Sequence, residues 1–521
     1  MAVQPLQFRK LTLFEGLLQA AARFGLDKPV FQDAREPAKS YRELIRSALA
    51  AGRLARHVSA PGEVVGLLLP NVAGTVSMLF GLSASGRVPA MLNYSVGPTG
   101  LAWACQTAKV STVITSAKFV EALKLDLSDL TRRGVVVHTV EDLRATLSLT
   151  DKLWLKLWAW PRPERGITVR DPEAVAIVLF TSGSEGRPKG VALTHSNVCA
   201  LKAQLDVVLP CSPDDDRWFS PLPMFHSYGL IGTVISPLLR GHFVYLHLSP
   251  LDFREIPKRI AAVRATHLFG STLLLANYGR AADPQDFATL KVVVSGGEML
   301  ADEVTKMYRD RFGLTIWEGY GSTESACAMA LNTGALWRSG NTVGPMLPGM
   351  EFRIAPLPGL PRGGVLHVRG PNVMKGYLLS DHPGELSPTG SSFGPGWLDT
   401  GDVADVLEDG YLRIEGRIKR FAKVAGELVS LDLVERLARR ASPDCDHAAT
   451  VQLTADGETT ILFTTDPALT RARLLAVARD LGEQELAVAR QLVRTEALPI
   501  LPNGKTDYIR LRSQAEAMIT A

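Results

Sequence analysis

An apolar run at residues 174–180 ends directly in Thr181-Ser182-Gly183-Ser184-Glu185-Gly186-Arg187-Pro188-Lys189-Gly190. This junction constrains the chain more than any other. The apolar run reads as a buried strand, and the polar run as the loop that leaves it. Glycines let the backbone come close to a ligand, so that amide N–H groups can face an anion. Thr181, Ser182 and Ser184 add hydroxyl donors, and Lys189 adds a point charge. The alternative is an ordinary polar turn. The chemistry of the residues favours a cradle for a nucleotide triphosphate.

The spacing is not that of the Walker loop, G-x-x-x-x-G-K-[ST]. Here it runs Gly183-x-x-Gly186-x-x-Lys189-Gly190. Gly504-Lys505-Thr506 ends like a Walker loop, but Pro499 stands where its first glycine belongs. The remaining chemistry is spread widely. Pro223-Met224-Phe225-His226-Ser227, Ser295-Gly296-Gly297-Glu298 and Gly319-Tyr320-Gly321-Ser322-Thr323-Glu324 follow the loop. Trp397-Leu398-Asp399-Thr400-Gly401-Asp402, Gly416-Arg417-Ile418-Lys419-Arg420 and Pro502-Asn503-Gly504-Lys505 come later.

Taken in order, these runs resemble the signature motifs of the adenylate-forming superfamily, which includes acyl-CoA synthetases, peptide-synthetase adenylation domains and firefly luciferase. The resemblance covers essentially the whole chain. A narrower likeness joins 180–186, the run from Lys419 to Ser430, and Leu462-Phe-Thr-Thr-Asp-x-x-Leu-Thr-Arg. These resemble the synthetase half of the bifunctional acyl-acyl-carrier-protein synthetase/2-acylglycerophosphoethanolamine acyltransferase. The acyltransferase half carries a His and an Asp separated by four residues. The match here, His247 to Asp252, falls inside the synthetase region and reads as chance.

The resemblance implies an α/β adenylate-forming fold. A large N-terminal domain with sandwiched mixed sheets would span 1–416, with a β-rich subdomain at about 345–416. A small mobile α+β domain would span 417–521. Lys419 would be the hinge. Thr181, Ser182, Gly183, Ser184, Glu185, Gly186 and Lys189 would hold the β- and γ-phosphates. Gly297 and Glu298 would line the adenine slot, Tyr320 would stack on adenine, and Gly321 would also belong to the ATP site. Asp402 and Arg417 would meet the ribose. Thr323 would donate to the α-phosphate, and Glu324 would ligate Mg²⁺ as a hard oxygen donor. Lys505 would bridge the substrate carboxylate and the α-phosphate, where a cation stabilises charge build-up. Gly426 and Lys423 would line a channel for the phosphopantetheine thiol. His226 would gate an acyl pocket built with Phe225, Gly229, Gly270 and Ser271, where glycines leave room for a chain. Arg420 replaces the acidic residue that many relatives carry beside the hinge.

The implied reaction joins ATP to a medium- or long-chain fatty acid, releases pyrophosphate, and passes the acyl group to a thiol. Acyl carrier protein is the favoured acceptor and coenzyme A the second. Two further readings remain: a ligase that stops at acyl-AMP, and a non-catalytic sensor of acyl nucleotides.

Size and composition agree with an enzyme of this class. A chain of 521 residues exceeds one core, so two or three domains are expected. A net charge of +4 does not argue for a nucleic-acid partner, and tolerates acidic proteins or anionic lipid. Five scattered cysteines without metal-ligand spacing suggest reduced thiols in a cytoplasmic setting. Strand candidates at 64–69, 111–115, 134–137, 243–248, 266–269 and 292–294, with a helix at 71–86, predict largely parallel α/β sheets. Shorter strands at 365–369 and 411–414 predict the β-rich part. The run Leu153-Trp-Leu-Lys-Leu-Trp-Ala-Trp160 admits two readings. It is a helix packed on the body, which its apolar stripe favours, or a peripheral membrane contact through interfacial tryptophans.

Overall fold

Strand Val175–Ser182 does not hand its chain to a helix. Strand Pro188–Thr194 returns antiparallel beside it, with Thr181 opposite Lys189 and Phe180 opposite Gly190. The run Val191-Ala192-Leu193 is as apolar as the strand before it and is fully buried, so it pairs rather than coils. A side chain at Gly190 would press on Leu378 and Val178, which is why the hairpin carries a glycine there.

The computed structural model describes residues 6–518 other than 183–186, 210–211, 341, 361, 425–426, 455–456 and 501–505. Contacts divide the chain into two units. The first holds Met1–Glu351 and Arg369–Gly390; the second holds Phe352–Val368 and Ser391–Ala521.

Two eight-stranded sheets form the first unit. One has a parallel centre made by Ile316–Tyr320, Val292–Gly296, His267–Gly270, Arg217–Ser220, Phe243–Leu246 and Pro29–Asp33. Ala330–Asn332 and Lys39–Ser40 close its two edges antiparallel. The other has parallel strands Val175–Ser182, Val88–Met91, Val64–Leu68, Thr112–Thr115 and Val136–Thr139. Pro188–Thr194, Gly376–Leu379 and His382–Ser387 extend it antiparallel. The sheets are therefore mixed, and the expectation of largely parallel sheets holds for their centres. Strands at 376–379 and 382–387 join this second sheet because Tyr377 and Leu378 pair with Val191 and Gly190.

Helix Ala73–Ala84 is buried on nearly every face, unlike a surface helix. Its N-terminus lacks a local cap. The Asp33 carboxylate supplies one instead, accepting the Ala73 N–H at 2.8 Å. This helix lies against Tyr41–Ala55 at a two-glycine crossing. A Cβ on Gly52 would collide with the Gly81 carbonyl, and one on Gly81 with the Ala48 carbonyl.

The second unit holds a four-stranded sheet, Glu351–Pro356, Gly364–Arg369, Leu398–Val406 and Leu412–Arg417. Beyond it come hairpin Phe421–Val424/Glu427–Ser430 and a three-stranded sheet with helices Leu431–Ala441, Arg471–Asp480 and Tyr508–Ala517. Leu431, Val434, Leu437, Leu462, Leu469 and Leu474 form its core. Among the described residues no helix is long and apolar enough to cross a membrane. Cys105, Cys199, Cys327 and Cys445 are free thiols.

Candidate active site

The strands of the first unit deliver several sequence motifs to one neighbourhood through a residue outside all of them. Tyr377 sits on strand Gly376–Leu379, next to the returning hairpin strand. Its hydroxyl donates to Glu324 Oε1 at 2.9 Å. Lys189 Nζ stands 5.3 Å from the centre of the Tyr377 ring. The loop lysine and the candidate Mg²⁺ ligand therefore flank one phenol. Glu324 lies on a short 3₁₀ turn, Thr323–Ser325, that follows strand Ile316–Tyr320 after two residues. The Glu324 carbonyl accepts the Met374 N–H at 2.7 Å, which locks that turn to the Tyr377 strand.

Other predicted residues gather near the same turn. Ser227 Oγ contacts Thr323 Oγ1 at 3.5 Å, so the His226 motif and the Glu324 motif touch. His226 is exposed, and its ring packs at 4.6 Å on Phe225, which packs edge-on against Tyr94. The loop carrying these residues is anchored by buried Asn71. Its side chain accepts from the Met224 N–H and donates to the Leu222 and His247 carbonyls. Glu298 accepts the Leu273 N–H at 3.0 Å, and Gly297 has φ +86°. Tyr320 is half-buried at the end of its strand. Ser271 caps helix Thr272–Ala281.

Four glycines have other reasons to be glycine than the sequence suggests. A Cβ on Gly229 would strike the Pro223 and Leu222 carbonyls. The side of Gly229 on which a side chain would lie is thus taken by backbone. Gly270 meets Leu275 at 3.2 Å, and Gly232 meets Tyr228 at 3.1 Å and Cys327 at 3.2 Å. Gly321 crosses the Cys327 carbonyl so closely that no side chain fits.

Burial sets the electrostatics. Burial, with Asp302 adding repulsion, pushes the Glu318 carboxyl up to about 7, two residues before Tyr320. Burial pushes the Cys327 thiol up to about 12, which makes it inert as a nucleophile. Arg187, part of the Gly-rich run in sequence, lies over the Trp103 ring at 4.3 Å.

In the second unit, Asp402 and Arg417 face each other across antiparallel strands. Asp402 Oδ1 and Arg417 Nε are 2.8 Å apart; the Asp402 side chain is buried and Arg417 is largely exposed. Lys419 is exposed within the turn Ile418–Arg420, and the Lys423 N–H donates to Glu458 at 2.5 Å. Arg420 is half-buried, bound to Asp432 at 3.0 Å and Glu435 at 2.7 Å, and lies 3.9 Å over the Tyr508 ring. Gly183, Ser184, Glu185, Gly186, Gly426 and Lys505, with the side chain of Ser182, lie outside the described residues.

The tail-end Gly504-Lys505 pair also falls there. His247 Nε2 and Asp252 Oδ2 are 2.9 Å apart, with the imidazole buried against Phe219, so this pair braces a strand end. Among the described residues no group of three or more His, Cys, Asp or Glu side chains could hold a metal. A divalent ion at Glu324 would take its remaining ligands from substrate phosphates and water, as Mg²⁺ commonly does. Tyr377, Asn71 and Glu318 escaped the sequence reading because none stands in a recognisable run.

Comparison with known proteins gives a consistent picture. Residues 17–378 match the family described as AMP-binding enzyme. A 4-coumarate–CoA ligase of Pinus taeda is 27% identical over 503 residues, covering 91% of this chain and 89% of that protein. A putative ligase of Mycobacterium tuberculosis is 30% identical over 468 residues, covering 79% and 80%. The crystal structure of ATP-bound MatB from Rhodopseudomonas palustris superposes with a TM-score of 0.82 at 23% identity, covering 97% of this chain and 99% of that one. That likeness shows an adenylate-forming enzyme fold.

Proposed function

Because the chain belongs to the AMP-binding enzyme family, we propose that it is an AMP-forming acid–thiol ligase. Its acid is a medium- or long-chain fatty acid, and its acceptor is the phosphopantetheine thiol of acyl carrier protein. The observation that carries the ligase reading is the Lys189–Tyr377–Glu324 arrangement, which sets a cation over one ring and a hard anionic oxygen at its hydroxyl. A triphosphate needs the cation, and its Mg²⁺ needs the carboxylate. The Glu324 donor set fits that ion, which would neutralise phosphate charge when bound.

In the first half-reaction a substrate carboxylate oxygen forms a bond to the α-phosphorus, and the bond to the pyrophosphate oxygen breaks. No proton need move, so positioning and charge neutralisation dominate. Lys189 and Thr181 would hold the outer phosphates, with Ser182–Gly186, and Thr323 the α-phosphate. Tyr320, Gly297, Glu298 and Gly321 would take adenine. Asp402 and Arg417 would take ribose, and Lys505 would neutralise the developing charge. In the second half-reaction a thiolate attacks the acyl carbon and AMP leaves. Lys419 would act as hinge, and Gly426 and Lys423 would admit the thiol. His226, Phe225, Gly270 and Ser271 would border the acyl group.

The run from Lys419 to Ser430 supports acyl carrier protein, through its likeness to acyl-carrier-protein synthetases. Coenzyme A is the second reading, favoured by relatives named as a 4-coumarate–CoA ligase and a feruloyl-CoA synthase. The deciding experiment supplies one fatty acid panel, ATP and Mg²⁺ with either holo acyl carrier protein or coenzyme A, and follows thioester by mass spectrometry. Thioester on the carrier protein alone is expected. Thioester on coenzyme A alone would select the second reading, and pyrophosphate release without either thioester would overturn both.

A further inference from the structure

The segment from Leu149 to Trp160 faces two ways. Leu155 and Ala159 are buried, and half-buried Trp154 and Trp160 stack against Arg53 and Arg46 at 5.0 and 5.3 Å. The other face carries Leu149, Leu153, Leu157 and Trp158, which are 76, 54, 67 and 49% exposed. Their spacing of four residues keeps the leucines on one side of the helix. A solvated helix face is normally charged, so a leucine row there marks an interaction surface.

Charge says what it meets. Lys152, Lys156, Arg162 and Arg165 are all exposed around the row. Asp151 is turned inward and paired with Arg53 and His57, leaving Glu164 as the exposed acid of this stretch. Beside the row opens a cavity of about 450 Å³, within the range of small-molecule sites. Its wall includes Leu26, Ile45, Trp160 and Pro161, and its cations are Arg42, Arg46 and Lys156. Arg42 is held by Asp27, whereas Arg46 and Lys156 enter no ion pair among the described residues. The Trp160 indole N–H also finds no acceptor among them.

We propose that this face docks on an anionic phospholipid bilayer, with the leucine row in the headgroup boundary and a lipid phosphate held between Arg46 and Lys156. Leucine and tryptophan supply the apolar burial, and the surrounding cations supply attraction to the anionic surface. The proposal stands on this surface alone and does not depend on the fatty-acid reading.

The test is flotation of the full chain with vesicles of phosphatidylcholine, or of equal parts phosphatidylcholine and phosphatidylglycerol. Binding to the anionic vesicles, weakened by salt, is expected. Leu153→Ser with Leu157→Ser, and separately Lys152→Glu with Lys156→Glu, should each lower partition about tenfold. Both variants should keep the wild-type melting temperature and ATP–pyrophosphate exchange, which separates a docking defect from misfolding. Wild-type protein that floats with neither vesicle would overturn the proposal, as would variants that partition like wild type. Equal affinity for soluble glycerol phosphate, or capture by an acidic carrier protein through the same residues in place of vesicles, would also overturn it. Vesicle binding that persists in a protein inactive on every fatty acid would sink the fatty-acid reading and leave this one intact.

Discussion

Tyr377 joins two motifs that lie more than a hundred residues apart, and it does so with a single hydroxyl and a ring face. Tyr377→Phe keeps the ring beside Lys189 and removes the donor to Glu324. Hydrogen bonds to charged groups contribute about 1.5–3 kcal/mol. Adenylation should therefore fall roughly 10- to 100-fold with the fold intact; an unchanged ATP–pyrophosphate exchange rate would remove Tyr377 from the site. A second residue ties stability to pH. Buried His195 accepts the Leu13 N–H on Nδ1 at 3.1 Å, which requires the neutral ring. Burial lowers its pKa from 6.5 to about 4. The unfolded chain therefore binds this proton first. The stability contributed by His195 is complete above pH 6.5 and is lost as pH falls toward 4. His267, lowered to about 3 by burial, adds in the same direction. Melting temperature should drop across that window, and His195→Gln should flatten the drop; parallel profiles for the two proteins would count against this account. At this scale the sequence revealed residues whose chemistry is rare and clustered, such as Lys189 and Glu324. A lone tyrosine on an ordinary strand carries no such mark.

Among the elements, the helix pair Tyr41–Ala55 and Ala73–Ala84 has the least tolerance. Each helix offers a glycine to the other's backbone, at Gly52 and Gly81. Gly81→Val would force the helices apart, and overpacking of this kind costs about 1–3 kcal/mol. The urea midpoint should fall accordingly with no change in slope; a midpoint equal to wild type would show that the crossing can relax. Strand positions such as 64–69 and 292–294 were legible because fully apolar runs bounded by turn residues have few alternatives. Strand Pro188–Thr194 was not, since a parallel and an antiparallel return need the same apolar run. The start of helix Ala73–Ala84 was hidden for another reason. Its cap comes from Asp33, forty residues earlier, and no local pattern reports such a partner. Gly229 shows why a pocket lining is hard to read, since a glycine that admits backbone looks, in sequence, like one that admits ligand.

For the molecule as a whole, two units with separate cores fit a reaction with two separable halves. Lys505→Ala should lower adenylation by about 10²–10³, the usual cost of losing one donor to developing charge, while acyl transfer from supplied acyl-AMP continues. Lys419→Pro, by fixing one backbone torsion, should do the reverse. Quenched-flow assays of the separate halves check both, and equal damage to both halves by either variant would refute the division. Family-level architecture was legible across the whole length because each motif kept its order and its company. Acceptor identity was legible only through the likeness of the run from Lys419 to Ser430, since a channel for a thiol would have the same needs whichever carrier bears it.

The stacking of Arg187 on Trp103 equips the enzyme with a label-free optical probe. When a triphosphate draws the guanidinium away, that indole should change its emission. Subtracting the signal of Trp103→Phe would isolate it from the other seven tryptophans of the eight in the chain. Nucleotide capture could then be timed in a stopped-flow cell with no acid and no thiol present, before any chemistry begins.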